Sequence, residues 1–455
     1  MPSDRGGLLG PLSGGSRADA ELSDRALLQA LLDAEAALAA ASARAGIVPD
    51  QAAAAIAAAC RADRFDPDDL GRRAEQAGNP VVPLVRDLTG AVERAAGPAA
   101  ARWVHAGATS QDILDTAASL VAFRALGPVL DDLAGAARAA AALADRHRAT
   151  VMAGRTLGQQ ALPTTFGLKA AGWLVALDEA AANLDRVRRT RLAAQLGGAA
   201  GTLASLGPAG VEVAGHYARA LGLCEPTLPW HTDRVRVAEL AGALGAAAGA
   251  LGKLALDVTL LAQTEVGEVA EPATDGRGGS STLPHKRNPV RAVLVRAATD
   301  RVPGLVATLL AAMAHEQERA TGAWHAEWEP RAELLRLVGG AAARTRELLE
   351  GLEVDPDRMR ANLEATGGLL LTERVAGALA GTLGRAAAND LVGRLAAEAA
   401  GSGRPLREVL VADPAVGGQL DEAEVDRLLD LAGYLGAAGQ LIDRALAAHR
   451  ARLRG

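Results

Sequence analysis

Apolar residues recur along residues 240–261 at alternating spacings of four and three. The seam consists of Leu240, Leu244, Ala247, Leu251, Leu254, Val258 and Leu261. This heptad spacing, kept over about three repeats, is typical of long helices packed side by side. No proline interrupts the chain between Pro229 and Pro272. A helix of ~30 residues would be ~45 Å long, so the pattern predicts a long helix within a bundle.

Other parts of the chain also have helical patterns. Residues 22–62 are predicted to form two helices. The first has Ser23 as a plausible N-cap and Gly46 as its stop. Further helices are predicted at about 111–149 and at about 290–318. The segments between them are polar and rich in glycine and proline. We predict an all-α protein with an N-terminal helical domain (1–105), a central long-helix bundle domain (106–348) and a C-terminal helical domain (349–455).

Composition supports the all-α prediction. Hydrophobic residues make up 49% of the chain but aromatic residues only 2%, so the core must be built from alanine, leucine and valine. Alanine and leucine are strong helix formers. The net charge is −6, without a basic block, which argues against nucleic acid as a partner.

Cysteine usage and hydropathy indicate the compartment. Cys60 and Cys224 are the two cysteines and lie far apart in sequence, so no disulfide framework is expected and a reducing cytoplasm is the simplest setting. The first residues lack the apolar core of a signal peptide. Charged residues interrupt the apolar runs, so no membrane span is predicted.

The segment GGSSTLPHKRNP, Gly278–Pro289, is the strongest candidate for chemistry. It combines adjacent serines, beginning with Ser280, with Lys286 and Asn288. The chain has only three lysines, and one inside this segment suggests a site that needs a compact ammonium. An ordinary inter-helix turn is the alternative for the glycine and serine residues alone.

A second candidate segment is WVHAGATSQDILDT, residues 103–116. Thr109 and Ser110 could present hydroxyl and backbone N–H donors to an anion at a helix N-terminus. Asp112 and Asp115 fall in the first turn, where carboxylates are explained equally well as caps. His105 could be a general acid or base, a carboxylate donor, or a structural hydrogen-bonding group.

A third candidate segment is GRTLGQQALPTTFG, residues 154–167. Thr156 and Gln159 could bind carboxylates without adding titratable charge, although a hydrogen-bonded helix connection would look similar. Arg319 is a further candidate for a substrate carboxylate, but arginine is so common here that a surface ion pair is an alternative. No cluster has the spacing of metal ligands, so we predict no metal and no cofactor.

Together the three segments resemble those of the fumarase/aspartase superfamily. The first candidate matches its signature, roughly GSSxMPxKxNP, with Leu283 where methionine is usual. The segments GATSQD, QQALPTTFGLKAAGW, QLGGAAGTLASLG, PWHTDR and GAWHAEW resemble the branch that lactonises 3-carboxy-cis,cis-muconate. The resemblance covers roughly residues 20–450. It implies homotetramers with a multi-helix core and active sites shared between subunits.

The resemblance also implies roles for individual residues. Ser280 corresponds to the catalytic serine, while Lys286 and Asn288 correspond to substrate-carboxylate and loop-positioning residues. Four further positions correspond to substrate-binding residues: Thr109, Ser110, Thr156 and Gln159. The implied substrate is a small tricarboxylate.

One departure from the superfamily pattern concerns its general acid. Many members have GRTH in the third segment, with the histidine paired to a glutamate five residues past the loop asparagine. Leu157 and Val293 stand at these positions. Their joint presence fits lactonisation, which needs no protonated leaving group. The alternatives are a C–N lyase of the adenylosuccinate lyase type and a non-catalytic helical oligomer.

Overall fold

The computed structural model describes residues 8–272, 283 and 286–454. The N-terminal helices are α1 (Gly10–Ser13), α2 (Asp24–Arg44), α3 (Asp50–Ala59), α4 (Pro67–Ala77), α5 (Val81–Ala96) and α6 (Pro98–Ala101). The next are α7 (Ser110–Arg146), α8 (Phe166–Thr190), α9 (Gly210–Leu221), α10 (Val235–Leu261), α11 (Val290–Thr299), α12 (Val302–Ala311), α13 (Ala323–Ala326) and α14 (Trp328–Glu350). The last are α15 (Pro356–Glu364), α16 (Thr372–Leu383), α17 (Arg385–Ser402), α18 (Leu406–Ala412), α19 (Pro414–Gly417), α20 (Glu422–Leu428) and α21 (Ala438–Arg452).

Two short antiparallel strand pairs accompany the helices in the described part of the chain. The strands are β1 (Val151–Thr156), β2 (Gln159–Thr165), β3 (Val269–Ala270) and β4 (Glu353–Val354). β1 pairs with β2 in a hairpin, and β3 pairs with β4. The all-α fold class is confirmed, with these pairs as minor additions.

The predicted long helix is confirmed as α10, which has 27 residues. All seven residues of the heptad seam are no more than 5% exposed. A Cβ added at Gly252 would lie 2.8 Å from Oγ1 of Thr299, and one at Gly245 would lie 3.3 Å from Cγ2 of Val306. The small residues of α10 therefore allow close approach of α11 and α12.

The third candidate segment is the β1–β2 hairpin, a hydrogen-bonded connection between α7 and α8. One local prediction was wrong. The single helix predicted at 290–318 is divided into α11 and α12, and Pro303 lies in the first turn of α12. Proline lacks an N–H group and fits a first turn, so it favours a new helix start over the interior of a longer helix.

The chain divides into two compact units. The first unit comprises Met1–Ala134, Glu179–Ala255 and Val293–Arg346, and the second comprises Gly135–Asp178, Leu256–Ala292 and Glu347–Gly455. The second unit includes an apolar cluster of C-terminal helices that contains Val375, Leu379, Leu395, Leu406 and Leu410. The three domains at 1–105, 106–348 and 349–455 stay a prediction.

Among the residues that the structure describes, three helices are long and apolar enough to cross a membrane by length and composition alone: α2, α7 and α10. Within the protomer, 61% of the apolar window of α2 and 67% of that of α7 are buried, but only 44% of that of α10. Burial within the fold accounts for much of the apolar character of α2 and α7. α10 leaves more of its apolar surface uncovered.

Candidate active site

The Asp112 carboxylate organises the start of α7 in the first unit. Its Oδ2 accepts hydrogen bonds from the backbone N–H groups of Thr109 and Gly198, each at 2.9 Å. Its Oδ1 accepts from Gly197 N–H at 2.9 Å and lies 2.7 Å from Nε2 of His231. Asp112 is therefore a helix cap that also fixes the glycine-rich loop beside the helix.

The Arg319 side chain contacts the same region. Its guanidinium donates to Oγ1 of Thr109 at 3.0 Å and to the carbonyl oxygen of Ala199 at 2.9 Å. It is partly exposed and has no carboxylate partner among the described residues. Arg319 and Thr109 thus place a cation and a hydroxyl together beside a helix N-terminus, where an anion is favoured.

His105 lies next to this region in a strained conformation. Its φ is +59°, in the left-handed region that non-glycine residues rarely occupy. Its Nδ1 lies 2.6 Å from Oε1 of Glu35, a carboxylate on α2 that is 1% exposed. Burial alone would lower the pKa of His105, but the charges of Glu35 and Asp112 raise it above its usual value. The structure therefore favours an imidazolium at this position.

A glycine makes the turn after His105 possible. Gly107 has a φ of +79°. A Cβ added there would lie 2.4 Å from Cδ2 of Leu206, so a larger residue would force both the backbone and its neighbour to shift. The turn between α6 and α7 thus depends on Gly107.

A fully buried ion cluster lies one helical turn further along α7. Arg234 donates to both carboxylate oxygens of Asp115, at 2.8 and 3.1 Å, and also to the Glu327 carboxylate. All three side chains are 0% exposed. Burial would raise the pKa of both carboxyl groups, but the guanidinium and neighbouring donors hold them below their usual values. The cluster keeps both carboxylates ionised.

Replacing Arg234 by methionine should destabilise the protein strongly. The Asp115 and Glu327 carboxylates would stay buried without their shared partner, at a cost of about 3–5 kcal/mol. The free energy of unfolding in urea measures the loss. Arg407→Met is the control, because its ion pair with Asp426 is exposed and such pairs contribute about 0–1 kcal/mol. Equal losses in the two variants would contradict a special role for the buried cluster.

The β1–β2 hairpin in the second unit carries Thr156 and Gln159 on either side of its turn. Both side chains are exposed. The hairpin is held by Arg155, which donates to both carboxylate oxygens of Glu268 at 2.6 and 3.0 Å. Leu157, at the turn, is fully exposed and has a φ of +52°. The buried Glu268 carboxylate thus fixes the hairpin, while the turn exposes Thr156, Leu157 and Gln159 to solvent.

The end of the signature segment also lies in the second unit. Lys286 is exposed, and its backbone N–H donates to the carbonyl oxygen of Leu283 at 3.0 Å. Arg287 donates to the carbonyl oxygen of Glu271 at 2.6 Å and to the Glu353 carboxylate at 2.9 Å. These contacts anchor the chain just before α11.

The predicted site residues fall into three groups. His105, Thr109, Ser110 and Arg319 belong to the first unit, where Arg319 and Thr109 are in direct contact. Thr156, Gln159, Lys286 and Asn288 belong to the second unit. Ser280 lies outside the described residues. The roles of all these residues stay predictions.

Sequence reasoning did not identify Glu35 as a candidate, although a signal was present. Leu28, Leu31, Leu32 and Leu38 form a stripe on α2, and Glu35 interrupts it. A carboxylate on an apolar stripe needs a partner when buried. The position of that partner, 70 residues away in His105, could not be inferred from local spacing. The full set of donors to Asp112 was missed for the same reason.

The all-α fold and these polar groups beside helix ends are typical of helical lyases. The family model described as "Lyase" matches residues 15–304, and the model described as "Adenylosuccinate lyase C-terminus" matches residues 368–445. The chain belongs to this lyase family, within the fumarase/aspartase superfamily. Members of this superfamily act on small carboxylates and are oligomeric.

Two curated relatives are equally similar to the chain. A nitrosuccinate lyase from Streptomyces davaonensis is 52% identical over 97% of this chain and 94% of its own length. A 3-carboxy-cis,cis-muconate cycloisomerase from Pseudomonas aeruginosa is 52% identical over 95% of this chain and 94% of its own. The crystal structure of the 3-carboxy-cis,cis-muconate lactonizing enzyme from Pseudomonas putida matches with a TM-score of 0.93 and 44% identity, covering 98% of this chain and 100% of that one.

Proposed function

We propose that this protein is a 3-carboxy-cis,cis-muconate cycloisomerase, an intramolecular lyase. It lactonises its substrate to 4-carboxymuconolactone in protocatechuate degradation by the β-ketoadipate pathway. Four relatives named for this activity are 42–52% identical over 89–96% of the chain. The two structural neighbours named for it have TM-scores of 0.93 and 0.91.

The observation that carries the proposal against C–N lyase chemistry is Leu157 at the hairpin turn. Many lyases of the superfamily have a histidine at this position, paired with a glutamate where this chain has Val293. Leucine and valine side chains have no proton to donate, so neither position offers an acid for a leaving group. In lactonisation the nucleophile is a substrate carboxylate that is already ionised at neutral pH, and no group leaves.

We assign substrate-binding groups in each unit. Three carboxylates require several cationic and polar donors. In the first unit these are the arginine, threonine and serine beside α7; in the second, the hairpin turn and the signature segment supply them. The proposed binding residues are Thr109, Ser110, Thr156, Gln159, Asn288 and Arg319, with Lys286 supplying an ammonium.

The reaction joins an oxygen of one carboxylate to a carbon of the substrate's own double bond. The π electrons move onto the carbon beside another carboxylate, which becomes an aci-carboxylate. Holding nucleophile and alkene together supplies much of the rate, because the step is intramolecular. Lys286 and the His105 imidazolium would stabilise the developing negative charge. Ser280 would then deliver a proton to the carbon, or remove it in the reverse direction.

A second candidate function is the elimination of nitrite from nitrosuccinate. The relative named for this substrate matches over 97% of the chain. Nitrite is a weak base and can leave unprotonated, so Leu157 and Val293 do not separate the two reactions. The same serine could remove a proton next to a carboxylate.

A substrate comparison tests these proposals. Purified protein is offered 3-carboxy-cis,cis-muconate, nitrosuccinate and adenylosuccinate in separate assays, followed by ultraviolet absorbance and by nitrite release. We expect kcat/KM to be highest for the tricarboxylate. Higher kcat/KM for nitrosuccinate would replace the proposal with its rival, and turnover of adenylosuccinate alone would show that the hairpin leucine does not exclude C–N lyase chemistry.

We further propose a cytoplasmic homotetramer with active sites shared between subunits. α10 has a second heptad series on its exposed side, formed by Gly242, Ala246, Gly249, Lys253, Leu256 and Leu260. Small residues on such a seam allow helices to approach closely. Leu256 and Leu260 are 37% and 47% exposed in the protomer. Packing of this face against other copies would bury them.

Replacing Gly249 by leucine should break the oligomer. A Cβ at Gly249 meets nothing within 4 Å in the protomer, so the variant should fold, but the side chain would obstruct a close helix contact. We expect a smaller species by light scattering and activity reduced at least tenfold, since a shared site would be incomplete. Gly377→Leu, at another open and exposed helical glycine, should change neither. An intact tetramer in the Gly249 variant would contradict an α10 interface.

A further inference from the structure

A cavity of about 660 Å³ lies within the first unit, apart from the proposed catalytic groups. Helices α2, α4, α5, α7 and α14 contribute to its lining. The apolar part of the wall includes Leu28, Leu31, Leu70, Leu84, Leu114 and Leu335, each no more than 5% exposed. The volume lies within the range of small-molecule sites, about 300–1,000 Å³.

Two buried polar donors line this largely apolar cavity. Arg331 is 7% exposed, and its guanidinium meets no hydrogen-bond acceptor among the described residues. Nε1 of Trp328 is buried and also lacks a partner in the described part of the chain. Buried donors of this kind are costly unless they are paired. A ligand with acceptor oxygens would satisfy both.

The surroundings of Arg331 define the charge of that ligand. Arg234 already donates to the Asp115 and Glu327 carboxylates. Those carboxylates act on Arg331 only through space, and burial lowers the pKa of its guanidinium. Asp24, Asp68 and Glu329 also line the cavity, against a single further arginine, Arg72. The Arg331 guanidinium can pair with one carboxylate, while the acidic residues around the cavity disfavour a ligand with further negative charges, such as a tricarboxylate.

We propose that this cavity binds a monocarboxylic acid with an apolar body, such as a medium-chain fatty acid. The carboxylate accepts hydrogen bonds from Arg331 and Trp328, and the hydrocarbon lies against the leucine wall. The site differs from the proposed catalytic one in both lining and charge preference. The binding proposal does not depend on which reaction the catalytic site performs.

Calorimetric titration of the full-length protein with hexanoate, octanoate and 1-octanol tests the proposal. We expect saturable octanoate binding, with the Kd falling about fourfold for each CH₂ group added between hexanoate and octanoate. 1-Octanol should bind at least tenfold more weakly than octanoate, because it lacks the charge that Arg331 pairs with. Equal affinities for octanoate and octanol, or no saturable binding, would overturn the proposal.

Two variants separate the head group from the cavity. Arg331→Met should remove the preference for octanoate over octanol. Because this change also alters the ion cluster, Gly71→Leu provides an independent variant. Gly71 lines the cavity, and a Cβ there meets nothing within 4 Å, so leucine should obstruct the site without a clash. Its octanoate affinity should fall at least tenfold relative to Gly393→Leu, at an open helical glycine of α17. Equal affinities in the two glycine variants would contradict the assigned location.

Discussion

Replacing Ser280 by alanine is expected to lower kcat for lactonisation by about a thousandfold. A positioned proton donor or acceptor contributes about 10²–10⁴ in rate, and alanine has no hydroxyl to exchange a proton with the substrate carbon. Binding groups such as Arg319 and Lys286 would remain, so KM should change much less. Steady-state kinetics on the tricarboxylate gives both constants, and light scattering checks that the oligomer is intact.

Ser281→Ala is the matched control for this variant. It removes the neighbouring hydroxyl from the same glycine-rich segment, so general loss of polarity there would affect both variants equally. We expect the control to keep at least a tenth of wild-type kcat. A nearly wild-type kcat in Ser280→Ala would refute the serine assignment, and equal losses would mean that the segment rather than one hydroxyl is needed.

Long-range periodicity made the helices predictable, but the ends of elements were less so. The α10 seam could be predicted because seven apolar positions obey one spacing, and burial of all seven follows from that spacing. The β1–β2 hairpin has no comparable period. Its strands are short and mix apolar with polar residues, and Glu268, which holds them, lies 113 residues from Arg155. Local sequence could not reveal that contact.

The same distinction applies to the candidate site. Thr109 and Arg319 were each singled out from their residue types, but their contact joins positions 210 residues apart. Asp112 was weighed as a cap, which it is, yet the structure adds Gly197, Gly198 and His231 as partners. Such a role emerges only when several loops converge, because each loop supplies one donor. Sequence pattern therefore identifies the chemical groups better than the contacts that orient them.

Glu35→Gln should change the pH dependence of catalysis, because Glu35 orients and charges His105. Its carboxylate raises the pKa of His105. Without that charge, His105 should lose its proton at a lower pH. If the imidazolium stabilises substrate charge, the alkaline limb of kcat/KM moves to lower pH in the variant. On that limb the imidazolium population falls about tenfold for each pH unit by which the histidine pKa is lowered. The activity ratio of wild type to variant should thus be larger at pH 8 than at pH 6.

The stability of Glu35→Gln should show the opposite trend with pH. A raised histidine pKa adds stability that is fully present below the unfolded value of about 6.5 and is lost as pH rises through the folded pKa. The difference in Tm between the wild type and the variant should therefore be larger at pH 6 than at pH 8. Asp33→Asn is the control, since Asp33 lies on the same helix but is bonded to Gln29 and Arg124; it should leave the kcat/KM profile unchanged. A purely structural role for Glu35 would instead reduce activity by the same factor at every pH, and that result would exclude the Glu35–His105 pair from the mechanism.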